Sequence, residues 1–209
     1  MRFSGRRLLF LGAHPDDIEL GAGALIHRIA GSCELNCVTL SENRKTKDLS
    51  GLLDQHRRSL TSLGVLTQNI RLEGFETRRF FERRQDILDR FMGFRRELEP
   101  DLVFVHSPHD VHQDHNVMTN EALRAFRGTT VLGYEILRSS NGFMPQLLVE
   151  VSSEDVASKV AALTMYEVYR DKSYFNPDVI RASMLRNGEL AELPFAEGFE
   201  ILRGIARFE

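Results

Sequence analysis

The chain has 209 residues, of which 42% are hydrophobic and 27% charged, and its formal net charge is −3. These values are typical of a soluble globular protein, and they exclude both a disordered chain and one that needs a strong positive field to bind nucleic acid or an anionic membrane. The length suits a single domain over residues 1–209, built on one core.

Strands are predicted, in chain order, at residues 8–12, 35–40, 69–72, 102–105, 129–134, 146–151 and 199–208. Helices are predicted at residues 20–29, 52–63, 84–98, 116–126, 156–168 and 178–185. The continuous apolar run at residues 8–11 is typical of a strand that is buried on both faces. Alternation of strand and helix predicts an α/β fold with a mainly parallel sheet and helices on both faces.

The two cysteines, Cys33 and Cys37, lie in or beside a predicted strand, and no second pair exists to complete a zinc site with them. We therefore expect reduced thiols, which are typical of a cytoplasmic protein. The apolar run after the basic residues 1–7 is too short for a signal peptide. No segment reaches the roughly 20 apolar residues of a membrane span.

The first predicted strand runs directly into Gly-Ala-His-Pro-Asp-Asp at residues 12–17. An imidazole, His14, and two carboxylates, Asp16 and Asp17, thus follow the carboxyl end of a buried strand, where ligands bind in parallel sheets. A structural interpretation is equally open, in which one of the two carboxylates caps the next helix. Taken alone, this motif favours neither interpretation.

The fourth predicted strand leads into a loop with four of the chain's seven histidines, at residues 106–115. His112 and His115 are three positions apart and share a face if a helix begins there. Because both loops follow strands of one parallel sheet, we expect them at the same edge. Two imidazoles and one carboxylate, with a fourth position left to water, describe a catalytic zinc site, and an iron site is the nearest competitor.

The chain resembles the LmbE-like, or PIG-L, family of zinc-dependent N-acetylglucosaminyl deacetylases. The resemblance rests on Ala-His-Pro-Asp-Asp-Ile-Glu-Leu-Gly at residues 13–21 and His-Gln-Asp-His at residues 112–115, with weaker similarity as far as residues 196–199. It implies a Rossmann-like fold, in agreement with the pattern of strands and helices. It also implies that His14, Asp17 and His115 hold one Zn²⁺, although the same ligands would accept Fe²⁺ or Co²⁺.

The resemblance implies further roles. Asp16 would be the general base, and His112, when protonated, would assist the oxyanion or the leaving amine. Asp114 would orient or charge-balance one of the two flanking histidines. The implied reaction removes an acetyl group from an acetamido sugar that is free or linked to a nucleotide, a lipid or a glycoside.

Relatives in this family often assemble, so a homo-oligomer is among the expected states. Two other functions stay open: a metal-dependent hydrolase of another N-acyl or ester compound, and a non-catalytic sugar-binding protein. The intact set of candidate metal ligands and base argues against the second, because a binding module does not need the base.

The sequence departs from the family pattern at two places. Some members carry a tyrosine two residues before the histidine that matches His112, and this chain has Asp110 there. Where many members have Ser-Gln, this chain has Val168-Tyr169. At both places, the family pattern therefore does not indicate which residues of this chain contact the substrate.

Candidate substrate contacts rest on position alone. Arg44 and Arg78 lie in loops that follow the second and third predicted strands, where a guanidinium can bind a hydroxyl, a phosphate or a carboxylate. Asn141 lies in a Ser-Ser-Asn-Gly loop, and Asp110 is included because it replaces the tyrosine. A surface charge explains each arginine equally well, and a turn explains Asn141 better.

Overall fold

The computed structural model describes residues 3–43 and 49–206. The strands are β1 (Arg7–Gly12), β2 (Glu34–Thr39), β3 (Ile70–Leu72), β4 (Leu102–His106), β5 (Thr130–Tyr134), β6 (Leu147–Glu150) and β7 (Ala196–Arg203). The helices are α1 (Asp17–Ile29), α2 (Leu52–Ser62), α3 (Arg84–Leu98), α4 (Gln113–Ala125), α5 (Ser153–Thr164) and α6 (Pro177–Glu189). Within the described ranges, no helix has both the length and the hydrophobicity of a membrane span.

All seven strands form one sheet in the order β3-β2-β1-β4-β5-β7-β6. Strands β1 to β5 are parallel, and β7 is antiparallel to both of its neighbours. The chain moves outward from β1 to β3 in one direction and from β4 to β5 in the other. The topological switch point therefore lies between β1 and β4, and the crevice beyond their carboxyl ends is the place where ligands bind in such sheets.

Two hydrophobic layers cover the sheet, because successive side chains of a strand point to opposite faces. Leu8 and Phe10 of β1 pack in one layer with α1, α2 and α5. Leu9 and Leu11 pack in the other layer with α3 and α4. The predicted α/β fold, with a mainly parallel sheet between two helical layers, is confirmed.

The observed bounds differ from the predicted ones chiefly where helices meet the crevice. Helix α1 begins at Asp17 rather than at residue 20, and α4 begins at Gln113 rather than at residue 116. In both cases the first turn carries buried polar residues, so the apolar periodicity that predicts a helix starts one turn late. Helix α5 ends at Thr164, four residues before its predicted end, and a short 3-10 turn, Glu167–Tyr169, follows it.

Helix α1 is broken at Ala22, where φ is −143° and ψ is 17°. The break frees backbone groups that a continuous helix would pair. Lys159 Nζ donates to the carbonyl of Leu20 at 2.7 Å, and the Glu197 carboxylate accepts from the amides of residues 24–25 at 3.1 and 2.7 Å. Lys159 and Glu197 also pair at 2.7 Å, so a buried ion pair satisfies both sides of the break.

Candidate active site

The two polar loops that follow β1 and β4 meet at the switch point. His14 lies in the turn after β1, Asp17 begins α1, and His115 lies in the first turn of α4. His14 Nδ1 lies 3.5 Å from Asp17 Oδ2 and 3.4 Å from His115 Nε2. The distance from His115 Nε2 to the same Asp17 oxygen is 3.5 Å, so the three atoms form a nearly equilateral triangle.

This triangle has the size of one face of a zinc tetrahedron. With zinc–ligand distances of about 2.0–2.1 Å, the edge of a regular tetrahedron is about 3.3–3.4 Å. The other ring nitrogen of each histidine is held by a carboxylate. Asp114 Oδ2 lies 3.0 Å from His14 Nε2, and Asp110 Oδ2 lies 2.7 Å from His115 Nδ1. Such carboxylate–histidine pairs orient metal-binding imidazoles, so the donor set fits Zn²⁺.

Opposing effects act on the pKa of these groups. Burial alone would lower the pKa of His115, but the charge of Asp17 and the hydrogen bond to Asp110 outweigh it and raise the pKa to about 10. Burial would raise the pKa of Asp17, yet the neighbouring imidazoles, above all the positive charge of His115, hold it well below its ordinary value. The cluster therefore favours an ionised Asp17 beside a protonated His115.

Asp16 differs from its neighbour in both backbone and environment. Its φ of 109° and ψ of −29° lie in a region that non-glycine residues rarely adopt. Its side chain makes no capping hydrogen bond to α1, which removes the capping interpretation for this residue. Burial, with the nearby charges of Asp17 and Glu19, raises the pKa of Asp16 well above its ordinary value. A buried carboxyl whose pKa is strongly shifted by burial and by nearby charges is a candidate for proton transfer in an active site.

His112 caps the amino terminus of α4. Its Nδ1 accepts a hydrogen bond from the amide of Asp114 at 3.2 Å, so the ring proton lies on Nε2. The ring centroid is 4.9 Å from that of His14 and 4.4 Å from that of His115. Burial and the charges of His115 and His14 lower the pKa of His112 to about 4. The imidazole is therefore neutral in this arrangement, and the protonated form that the resemblance implies for the reaction stays a prediction.

Asp110 faces the protein interior instead of the substrate surface on which the sequence places it. Its carboxylate accepts from His112 N at 2.8 Å, from Ser139 Oγ at 2.8 Å and from His115 Nδ1 at 2.7 Å. The residue is 3% exposed. Because its oxygens are engaged by these donors, Asp110 orients His115 and joins the loop after β4 to the loop after β5.

Asp114 contacts one flanking histidine through its backbone and a distant histidine through its side chain. Its amide holds His112, but its carboxylate turns toward the loop after β1 and contacts His14. The same Oδ2 accepts from the amide of Arg78 at 2.6 Å, where the φ of Arg78 is 67°. Asp114 therefore joins three loops around the crevice.

The remaining predicted contacts lie at the rim or are not described. The side chain of Arg78 is exposed, and its backbone is what binds Asp114. Asn141 is exposed, and its amide donates to the carbonyl of His109 at 2.7 Å, as a turn residue would. Arg44 lies outside the described residues.

Tyr169, at the second departure from the family pattern, is buried near the same crevice. Its hydroxyl accepts from Asn43 Nδ2 at 3.1 Å, and its ring stacks on Tyr166 at 5.9 Å between centroids. Burial, and the charge of Asp16, raise the pKa of Tyr169. The tyrosine therefore remains protonated, packed between Asn43 and Tyr166.

His106 belongs to the cluster, although sequence reasoning assigned it no role. It is the last residue of β4, and its ring stacks on His115 at 3.8 Å between centroids. Its Nε2 lies 3.4 Å from Asp17 Oδ2 and accepts from the amide of Ala13 at 3.2 Å, while Nδ1 has no hydrogen-bond partner. Burial and the charge of His115 lower the pKa of His106 to about 4, so it packs as a neutral ring. The signal in the sequence that could have identified His106 is its position directly after the apolar residues 102–105 of a predicted strand.

Comparisons with known proteins place the chain in a family and show which solved structures share its fold. The family model described as PIG-L, GlcNAc-PI de-N-acetylase, matches residues 9–126. An uncharacterised deacetylase of Escherichia coli, YaiS, is 32% identical over 168 residues, which cover 77% of this chain and 90% of that protein. The N,N'-diacetylchitobiose deacetylase of Pyrococcus horikoshii has a TM-score of 0.78 at 18% identity, with 94% of this chain and 84% of that chain covered.

A solved structure with a different activity shares the same fold. GalB, the 4-carboxy-2-hydroxymuconate hydratase of Pseudomonas putida, has a TM-score of 0.72 at 17% identity, with 100% of this chain and 99% of that chain covered. The fold alone therefore does not determine the reaction, which has to be argued from the residues of the site.

Proposed function

The chain belongs to the PIG-L family of GlcNAc-PI de-N-acetylases, and from this we propose that it is a zinc-dependent N-deacetylase that hydrolyses the acetamide of an amino sugar to amine and acetate. The sugar is free or linked to a nucleotide, a lipid or a glycoside. The observation that carries the proposal is the triangle of His14 Nδ1, Asp17 Oδ2 and His115 Nε2 beside the buried carboxyl of Asp16.

His14, Asp17 and His115 would hold the ion, which supplies a water of lowered pKa and polarises the acetamide carbonyl. Asp16 accepts the proton of the attacking water as the new C–O bond forms. The tetrahedral oxyanion accepts a hydrogen bond from Nε2–H of His112, a donor that the cap at Nδ1 keeps in place. Asp16 then returns its proton to the sugar nitrogen as the C–N bond breaks.

The test is Asp16→Asn, with Asp89→Asn as a matched control on the exposed face of α3. Metal analysis should find zinc bound to both variants. Amine release from a panel of N-acetyl sugars should fall by about 10²–10⁴-fold in Asp16→Asn and stay at the wild-type rate in the control. Near-normal turnover by Asp16→Asn would remove Asp16 as the base.

A metal-dependent hydrolase of another N-acyl or ester compound is the second candidate, because a solved structure with this fold has an activity other than deacetylation. The same assay separates the two when the panel includes N-acyl amino acids and acetyl esters. Turnover of those compounds alone would replace the amino-sugar assignment. Protein that binds no zinc and hydrolyses none of the compounds would instead indicate a binding role.

A further inference from the structure

Ser139 lies in the segment that follows β5, and its backbone is fixed against the loop that follows β4. The amide of Val111 donates to the carbonyl of Ser139 at 2.9 Å, and the amide of Ser139 donates to the carbonyl of Ile136 at 3.0 Å. Beside this contact, Asp110 and Ser140 form an antiparallel β-bridge. Backbone contacts therefore fix the position from which the Ser139 hydroxyl reaches the neighbouring side chains.

The hydroxyl of Ser139 begins a chain of two hydrogen bonds that ends at a proposed metal ligand. Ser139 Oγ donates to Asp110 Oδ2 at 2.8 Å, and the same oxygen lies 2.7 Å from His115 Nδ1. Because a carboxylate can only accept hydrogen bonds, Nδ1 of His115 carries the proton that faces Asp110. The other ring nitrogen, Nε2, is the atom that lies in the triangle with His14 and Asp17.

The two oxygens of Asp110 are held from different directions. Oδ1 accepts from the amide of His112 at 2.8 Å, and Oδ2 accepts from Ser139. The Cβ–Cγ torsion of an aspartate has a broad energy minimum, so contacts at both oxygens are needed to fix the plane of the carboxylate. Without the Ser139 hydroxyl, the described contacts hold the carboxylate only at Oδ1, apart from the imidazole of His115 that it orients.

The carboxylate that orients the other metal-binding histidine is held differently. Asp114 Oδ2 lies 3.0 Å from His14 Nε2. Both oxygens of Asp114 accept from backbone amides, one of which is that of Arg78 at 2.6 Å. A side-chain substitution does not remove such amides. For Asp110, in contrast, one of the two contacts comes from the side chain of Ser139, so its effect on the site can be measured by substitution.

We propose that Ser139 is a positioning residue that acts through Asp110 to orient the imidazole of His115 toward the metal ion. The inference rests on the metal site of the proposed function and concerns the affinity of that site. The Ser139 hydroxyl fixes the carboxylate, and the fixed carboxylate limits rotation of the imidazole. Less conformational freedom is then lost when Nε2 binds the ion, and contacts that orient a ligand in this way raise metal affinity.

The test measures the Kd for Zn²⁺ by competition with a chromogenic chelator, which requires no turnover. Ser139→Thr keeps a hydroxyl, whereas Ser139→Val has the same shape without one. Ser139→Thr should keep the wild-type Kd within about twofold, and Ser139→Val should raise it about three- to tenfold, the effect of losing one hydrogen bond. Ser140→Ala is the matched control and should keep the wild-type Kd, because Ser140 contacts Asp110 through the backbone bridge. Equal Kd values for Ser139→Thr and Ser139→Val would overturn the proposal.

A double-mutant cycle tests whether the effect passes through Asp110. Asp110→Ala removes the carboxylate that orients His115 and should raise the Kd about 10–100-fold. Ser139→Ala should raise the Kd about three- to tenfold in the wild type and less than about twofold in Asp110→Ala, where its target is absent. The same factor in both backgrounds would show that Ser139 only stabilises its loop, and would refute the inference. If Asp110→Ala does not fold, the comparison of Ser139→Thr with Ser139→Val decides.

Metal binding separates this inference from the proposed function. Protein that binds Zn²⁺ with the expected response at Ser139, but releases no amine from N-acetyl sugars, would support the positioning role and refute the deacetylase assignment. Protein that deacetylates sugars, but has the same Kd in Ser139→Thr and Ser139→Val, would support the assignment and refute the positioning role. Protein that binds neither Zn²⁺ nor Co²⁺ would overturn the metal site and both proposals with it.

Discussion

The ion pair in the break of α1 should be one of the most energetically important contacts of the fold. Lys159 is 4% and Glu197 is 2% exposed. We expect Lys159→Met to leave the Glu197 carboxylate buried with two amide donors and no cation. Removing one partner of a buried pair costs about 3–5 kcal/mol, and the two amides place the expected loss near the lower end, at about 3 kcal/mol.

A double-mutant cycle measures the pair itself. Glu197→Gln should cost a similar amount, because Lys159 would lose its carboxylate partner and the new amide NH2 would face a backbone N–H. Lys159→Met/Glu197→Gln removes both charges at once, and its cost should stay at about 3 kcal/mol instead of reaching the sum of about 6 kcal/mol. The free energies come from urea unfolding followed by circular dichroism, and in a chain of this size each single variant should lose about 6–12 °C in Tm.

The exposed pair of Arg58 and Asp54, at 3.2 Å on α2, provides the control. Arg58→Met should cost at most about 0.5 kcal/mol, because solvent-exposed pairs of this spacing contribute little. Additive losses in the cycle would show that Lys159 and Glu197 act independently. A loss below about 1 kcal/mol for Lys159→Met would show that the break in α1 does not need the cation.

Two further predictions concern stability. Gly21→Ala places a Cβ 2.1–2.7 Å from atoms of the Tyr134 ring and should lower the free energy of unfolding by about 1–3 kcal/mol, measured by thermal unfolding. Gly93→Ala is the control, because a Cβ there meets open space and should stabilise the helix. Equal effects of the two variants would contradict the packing argument. Although burial opposes it, hydrogen bonds from the α5 cap and from His27 lower the pKa of Asp155. The unfolded chain then binds more protons at this group, so the stabilisation is full at neutral pH and is lost as pH falls below about 4. The difference in unfolding free energy between wild type and Asp155→Asn should shrink as the pH falls below about 4. A constant difference from pH 7 to pH 3 would refute this account.

The sheet was predictable because its strands are buried on both faces, so that runs such as residues 8–11 are continuously apolar. The meeting of His14 and His115 was predictable because parallel strands end at one edge, and polar residues that follow such strands must come together there. Neither conclusion required knowledge of the direction of a side chain.

The pairings that the sequence did not predict depend on where a side chain points, or on contacts between residues that are far apart in the sequence. Asp110 turns inward because Ser139, from the loop after β5, donates to it, and that contact joins residues 29 positions apart. Glu197 accepts from amides more than 170 positions earlier, at a helix break that no residue pattern indicates. Such long-range pairs have no local periodicity, so only the folded chain reveals them.

Asp16 and Asp17 are adjacent, yet the fold places them in opposite electrostatic environments. The imidazoles of His115 and His106 surround Asp17 and lower its pKa, while burial beside two other carboxylates raises the pKa of Asp16. The left-handed backbone of Asp16, with φ at 109°, lies at the junction between the turn after β1 and the start of α1. Strained residues of this kind persist where the surrounding structure holds them and are common in active sites. Titratable neighbours whose pKa values are driven apart are a frequent mark of divided catalytic roles, and here the division matches the two proposed roles, a metal ligand for Asp17 and a base for Asp16.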